Sequence, residues 1–423
     1  MKVLLCHTYY TQRGGEDRSF EEERDLLQNA GHDVLQYVRR NDDLNAMGRP
    51  AQVAATLWNR GAAREVAHLV RRESPDVVHV TNTFPLLSPA VCRAAHGSGA
   101  AVVQALRNYR LLCAGGYLLR QGRPCEDCIG RATPWPAVVH RCYRESATAS
   151  GAVAAMQVLH RAVGTWRNRV DAFFTLTEFA RSKFVAAGLP ADRVHVKNNS
   201  VHPDPGAGDG AGGYVAFAAR LSAEKGVAAL LAAWAIDRSL PRLVVVGDGP
   251  LGADVSAAAA SDARIEWRGR QSEAEVHRVF AGAAAVVVPS LWYETFGRTI
   301  AEAFAGGTPV IASRLGAMSE LVDHGRTGWL APPADPRALA AAVRGCMELP
   351  QEQRRQMRAA ARQEYDQRFT AAHNYRRLIE IYHAAIESAR RRSGTGQAAT
   401  AAAGPCSIAP PSRPDSRLAV VHN

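Results

Sequence analysis

Short apolar, β-branched runs alternate along this chain with longer alanine-rich stretches whose apolar positions recur at helical spacing. Residues 2–6, 77–80, 101–105 and 172–176 read as strands of a first half. Residues 214–218, 243–246, 265–267, 285–288 and 309–312 read as strands of a second. The stretches 19–30, 60–72, 225–235, 273–281, 299–305 and 337–346 read as helices between them. A strand that is apolar at nearly every position is covered on both faces, and strand–helix alternation with short turns implies parallel sheets. The predicted fold class is α/β, two Rossmann-like domains with parallel sheets facing across a cleft. A Pro/Gly-rich link at 201–213 divides them. We place the first domain at 1–204 and the second at 205–365. A C-terminal helix at 366–392 is expected to return to the first domain, and the tail at 393–423 to be disordered. In this layout the carboxyl ends of both sheets line the cleft, where strand-end loops and helix N-termini offer free N–H groups to a ligand.

Length and charge refine this picture. At 423 residues the chain can bury two cores. No apolar run approaches the roughly 18 residues needed to span a bilayer, and the run after Lys2 is too short for a secretory signal. A cytoplasmic protein is expected. The net charge of +11 is uneven: ten arginines between Gln104 and Arg169 face only Glu126, Asp127 and Glu145. Such an excess suits an anionic partner or a solvated surface. Aromatic residues there are too scattered for a nucleic-acid face, so nucleic acid is not an expected partner. The helical stretch 151–169 carries an apolar stripe and ends in Arg161, Arg167 and Arg169. It suits either domain core or peripheral contact with the inner membrane face. Cys113, Cys125, Cys128 and Cys142 cluster in the same region. Thiolates so spaced either converge on zinc or pack as reduced thiols; both readings stay open.

The densest chemistry lies in Pro289-Ser290-Leu291-Trp292-Tyr293-Glu294-Thr295-Phe296-Gly297-Arg298-Thr299-Ile300-Ala301-Glu302, which follows a predicted strand and opens a helix. Carboxylates suit diols, because they accept paired hydroxyl hydrogens. Gly297 lets backbone approach a ligand, and the helix start behind it favours an anion. Ala219-Arg220-Leu221-Ser222-Ala223-Glu224-Lys225-Gly226 follows another strand at the same end of the sheet. Lysine is rare here, with only Lys2, Lys183, Lys197 and Lys225. Two fixed cations aimed at a diphosphate would stabilise the charge that grows as it departs.

These motifs, with Gly14-Gly15, Val246-Gly247-Asp248-Gly249-Pro250, Gly269, Gly306-Gly307-Thr308-Pro309-Val310 and Thr327-Gly328-Trp329-Leu330, resemble family 4 of the retaining GT-B glycosyltransferases. The resemblance runs to about Tyr382. It implies that Arg220 and Lys225 clamp a donor diphosphate, that Glu302 holds ribose hydroxyls, and that Glu294 orients the donor sugar. It also implies that the backbone at Phe296, Gly297 and Arg298 lies near the phosphates. Gly247, Gly249 and Gly269 would frame the base, and Gly15 would let the first domain approach the donor. Leu106-Arg107-Asn108-Tyr109-Arg110 and the cysteines resemble a subgroup with a cysteine-bearing N-terminal insert. Arg107 stands where that family usually has a histidine reaching the transferred sugar, and arginine cannot serve as a base. The implied catalytic set is Glu294, Arg220, Lys225 and Arg107.

The implied activity is a retaining, metal-independent hexosyl transfer from a UDP or GDP sugar. The acceptor would be a hydroxyl of a saccharide or lipid-linked saccharide, in surface polysaccharide or glycoconjugate synthesis. The sequence has no Asp-x-Asp triplet to hold a metal–diphosphate, so neither metal nor cofactor is expected at the diphosphate. Gly247-Asp248-Gly249-Pro250-Leu251-Gly252 also matches a dinucleotide fingerprint, although it does not follow the first strand of its domain. A nucleotide-sugar epimerase of the same fold and a noncatalytic nucleotide-sugar-binding protein are the alternatives.

Overall fold

The computed structural model describes residues 1–400, with side chains up to Arg392. Two six-stranded sheets form, and every strand pair within them is parallel. The first sheet comprises β1 (Lys2–Tyr9), β2 (Asp33–Arg40), β3 (Val77–Asn82), β4 (Ala101–Leu106), β7 (Ala172–Thr175) and β8 (Val194–Val196). Its order is β2-β1-β3-β4-β7-β8. The hairpin β5 (Leu119–Arg120) and β6 (Arg123–Pro124) stands apart. The second sheet holds β9 (Tyr214–Ala218), β10 (Arg242–Val246), β11 (Ile265–Trp267), β12 (Ala285–Val288), β13 (Val310–Ser313) and β14 (Gly328–Ala331). Its order is β11-β10-β9-β12-β13-β14.

The strands at the centre of each sheet are the valine-rich runs. β3, β4 and β12 are buried at every position, as expected where helices cover both faces. The second sheet reverses direction between β9 and β12, and such a switch point opens a crevice at the carboxyl ends of its two strands. Those ends carry Arg220 and the segment leading to Glu294. In the first sheet the switch falls between β1 and β3. The loop after β1 carries Gly14 and Gly15, which lead into the helix α1 (Gly15–Asn29).

Residues 201–213 lead from β8 to β9. Beyond the second sheet, the helix Gln351–Arg368 packs on the helix Arg298–Ala305, and Phe369 is fully buried at its end. The helix Ala371–Thr400 then crosses to the first sheet. Tyr382 bonds His79 on β3 at 2.8 Å, and Arg377 donates to the carbonyl of Val196 on β8 at 2.9 Å. That helix continues past Arg392 to Thr400. Of the expected tail, only residues 401–423 lie outside the described residues.

The stretch 151–169 is core. Its helix, Ala147–Ala162, buries Val153, Met156 and His160, and Trp166 beyond it is 4% exposed. Arg161 donates to the carbonyls of Leu111 and Arg131. No helix among the described residues is long and apolar enough to cross a membrane.

Candidate active site

The loops at the carboxyl ends of the two sheets enclose a cleft of about 1510 Å³. Gly14, Gly15 and Glu16 line it from the first domain; Arg220, Gly247 and Glu302 line it from the second. Asp17 locks the glycine turn. One of its carboxylate oxygens accepts from the amide of Gly14 at 3.0 Å, and the other meets His7 of β1 at 2.8 Å.

Behind the opposite wall, Lys225 and Glu294, neither of which lines the cleft itself, meet across the switch point. Lys225 Nζ donates to Glu294 Oε1 at 2.7 Å. Ser290 Oγ and Trp292 Nε1 donate to the same oxygen at 2.9 and 3.0 Å. The lysine ammonium also sits 5.3 Å from the Trp292 ring. Gly226 makes this meeting possible. Its φ is +75°, and a Cβ there would lie 1.9 Å from the carbonyl oxygen of Pro289. Only glycine lets this turn rest against the end of β12. The amide of Leu291, donating to the Glu224 carbonyl at 2.8 Å, fastens the two loops. The helix after Lys225 spans Val227–Ile236, so Lys225 lies in a preceding turn and not in the helix.

Arg220 is exposed to the cleft and makes no ion pair among the described residues. Gly247 and Gly249 each press on backbone: a Cβ would stand 1.9 Å from the Ala219 carbonyl oxygen and 2.6 Å from that of Leu221. Gly269 accepts from the Gly247 amide at 2.8 Å, tying the two loops expected at the base.

Glu302 sits at a crossing of charges. Arg298 Nε reaches it at 3.1 Å and Arg18 of α1 at 3.6 Å. Arg298 also donates to Glu22 of α1 at 3.0 Å, and Arg18 pairs with Glu273. Both arginines therefore bridge the two domains. Phe296 is buried against Phe369, with ring centroids 5.7 Å apart; its backbone leads into Gly297, the cap of the helix Arg298–Ala305.

Arg107 does not line the cleft. It follows β4 directly, and its side chain turns beneath α1, where it is 5% exposed. There it donates to Glu23 and Asn199, both at 2.6 Å, beside Lys197 and His79. Burial pushes the Glu23 carboxyl up, but Arg107 and Lys197 outweigh it and hold the group down at about 2. Burial brings His79 down to about 4, with Arg107 and Lys197 reinforcing it against the pull of Glu23.

Sequence reasoning overlooked Glu16, Arg18, Glu273 and His277. Glu16 lines the cleft and bonds Asn108 at 2.7 Å, while its Oε2 is buried without a partner. Burial raises its pKa against that hydrogen bond. Its place directly after Gly14-Gly15, at a helix start, is the signal that points to it. Glu273, His277 and Glu302 bring one ligand atom each within 4.8 Å of one another, the only such group of three among the described residues. Two of the three already pair with Arg18.

Two parallel sheets whose strand ends meet over a polar cleft define a GT-B protein. Residues 212–348 match the model of the glycosyl transferases group 1 family. The chain is 38% identical over 114 residues to a D-inositol 3-phosphate glycosyltransferase of Nocardioides sp., covering 27% of this chain and 24% of that protein. It is 35% identical over 133 residues to the D-rhamnosyltransferase WbpZ of Pseudomonas aeruginosa, covering 30% and 35%. The matched stretch thus spans between about a quarter and a third of these relatives. Among solved structures, HepE of Anabaena in complex with UDP is similar with a TM-score of 0.64 at 18% identity, over 90% of this chain and 99% of that one. Sucrose-phosphate synthase of Thermosynechococcus elongatus is similar with a TM-score of 0.65 at 16% identity, over 95% and 100%.

Proposed function

We propose that the protein is a retaining glycosyltransferase that moves a sugar from a UDP or GDP sugar to a hydroxyl of a saccharide or lipid-linked saccharide. One observation carries this reading: Arg220 lines the cleft opposite the Gly14-Gly15 turn of the other domain, and the Lys225–Glu294 pair lies at the same switch point. An unpaired guanidinium and an ammonium there suit a diphosphate. Glu302 takes the ribose hydroxyls, and Glu294, held by three donors on one oxygen, takes hydroxyls of the sugar. The group 1 domain spans Arg220, Lys225, Glu294 and Glu302, and the UDP in HepE is the kind of ligand this cleft fits.

In this mechanism the cations neutralise the diphosphate as its bond to the sugar breaks. The acceptor attacks from the face the diphosphate leaves, and the departing phosphate oxygen takes the acceptor's proton. Arg220 and Lys225 supply the charge that a divalent ion would otherwise bring. The expected partners are the nucleotide sugar and a carbohydrate acceptor, in a cytoplasmic protein of surface-polysaccharide or glycoconjugate synthesis.

Thermal-shift screening against UDP, GDP and ADP sugars identifies the donor, since a true donor stabilises the form that binds it. Product analysis by NMR then reads the anomer, with and without EDTA. Retention that is indifferent to EDTA agrees with the proposal. An inverted product overturns same-face attack, and activity lost to EDTA and restored by a divalent ion overturns metal independence. Epimerised nucleotide sugar formed from donor alone favours an epimerase instead.

A further inference from the structure

Residues 107–146, between β4 and the helix Ala147–Ala162, form a lobe with little regular structure. It holds only the hairpin of β5 and β6 and the short helix Trp135–Val139. Leu118, Gln121, Arg141, Arg144 and Glu145 all adopt positive φ, between 49° and 53°. Such backbone makes few ladder bonds, and small irregular units of this kind are commonly held by disulfides or a metal. The lobe nevertheless has a fixed job. It presents Tyr117, Tyr143 and Arg144 to the cleft. Tyr117 meets Trp292 edge-on at 5.2 Å, and Trp292 in turn donates to Glu294.

Four of the seven described cysteines belong to this lobe, and none is in a disulfide. Cys6, Cys92 and Cys346 are buried elsewhere. Cys113, Cys125, Cys128 and Cys142 line one cavity of about 10 Å³, together with His140. That is room for a single small ion or water. Local backbone bonds place each sulfur. The Gly116 amide closes the turn onto the Cys113 carbonyl at 2.9 Å, the Cys125 amide clamps the hairpin to Leu118 at 2.8 Å, and the Cys142 amide reaches Ala137 at 3.0 Å. Gly115 lets two of these turns stack, since a Cβ there would stand 3.0 Å from the Cys142 carbonyl and 3.7 Å from Cys113 Sγ.

We propose that Cys113, Cys125, Cys128 and Cys142 form a structural zinc site that holds this lobe against the cleft. Zinc takes four thiolates at about 2.3 Å in a tetrahedron, which sets the sulfurs about 3.8 Å apart. No three of them lie within 4.8 Å of one another here, so binding has to draw the sulfurs inward. Binding as thiolates releases the thiol protons and leaves a complex of charge −2, with Arg120 lining the same cavity to offset it.

The proposal stands apart from the transferase reading, because zinc content is measured without any substrate. Full-length protein from zinc-replete cells, purified without chelator, is assayed by elemental analysis, and its thiols by alkylation and non-reducing intact mass. We expect about one zinc per chain and four cysteines that alkylate only after chelation. In Cys125→Ser/Cys128→Ser zinc falls at least tenfold, whereas His277→Gln keeps it. Wild-type protein with less than about a tenth of an equivalent and freely alkylating cysteines overturns the proposal, even if the double variant does not fold. So does an intact mass showing disulfides among the four, or zinc lost in His277→Gln and kept in the double variant.

Discussion

Lys225 donates to Glu294 at 2.7 Å, joining the loop after β9 to the loop after β12. Neither residue alone explains the other's position. Gly226 brings the lysine turn against Pro289, and Ser290 and Trp292 fix the carboxylate oxygen that receives it. The pair therefore fixes a cation and an anion side by side at the switch point.

Removing either partner should damage transfer more than folding. Lys225→Ala is expected to lower kcat/KM by about 10²–10³, the usual cost of one preorganised charge at a transition state. Arg220→Ala should cost a similar factor, with little change in Tm because its side chain is exposed. Glu294→Gln keeps the shape and loses the charge. In a double-mutant cycle the Lys225→Ala/Glu294→Gln variant should lose less than the two single losses combined. Steady-state kinetics with the identified donor reads all of this. Wild-type affinity and turnover in both Arg220→Ala and Lys225→Ala would remove the diphosphate clamp.

Two glycines in the same backbone region should respond differently to alanine. Gly226 and Gly269 have φ of +75° and +62°, so both pay the left-handed penalty of about 1–2 kcal/mol. A Cβ at 269 meets nothing within 4 Å, whereas one at 226 meets the Pro289 oxygen at 1.9 Å. Gly269→Ala should stop at that penalty. Gly226→Ala should exceed about 3 kcal/mol and also depress kcat/KM, since Lys225 moves with the turn. Thermal melts and kinetics of the two variants side by side test the difference.

The same physics explains what the sequence made legible. Strands buried on both faces, such as 285–288, stand out because every position is apolar. β2 and β8 escaped notice because polar residues interrupt their apolar runs at the edges of the first sheet. The placement of Arg220, Lys225, Glu294 and Glu302 near one end of one sheet was readable because each lies after a strand in the chain. The partners that α1 supplies were not, since Arg18–Glu302 and Glu22–Arg298 are contacts between domains that no local spacing encodes. The direction of the Arg107 side chain was not legible for a related reason: a motif gives a residue's place in the chain, but not the direction of a side chain leaving a strand.

Arg107 should accordingly behave as a structural cation. Arg107→Ala leaves Glu23 with Lys197 alone and strands the Asn199 side chain in a buried site. Breaking a buried pair from one side typically costs about 3–5 kcal/mol. We expect a marked fall in Tm, a smaller one in Arg107→Lys, and unchanged nucleotide affinity in the fraction that remains folded. Calorimetric titration with UDP or GDP decides the matter: a large loss of affinity at full thermal stability would return Arg107 to the donor site.

Acid should weaken the fold in two stages. His79 and His160 are both buried and held at about 4, below their ordinary 6.5, chiefly by burial. The unfolded chain therefore binds their protons first, and stability declines as pH drops from about 6.5 toward 4. By pH 4.5 each histidine should account for a loss on the order of 2 kcal/mol. Glu23 adds a second stage. Its folded value of about 2 lies below the ordinary 4.5, so the stability it lends is complete above 4.5 and disappears toward 2. Melting temperatures measured from pH 8 to pH 4 should be level above 7 and slope downward below 6.5. His79→Gln cannot take up the proton, so its profile should be flatter between 6.5 and 4.5 whatever its absolute Tm. A slope identical to that of the wild type would mean that His79 is already charged in the fold, and that Glu23 and not burial controls it.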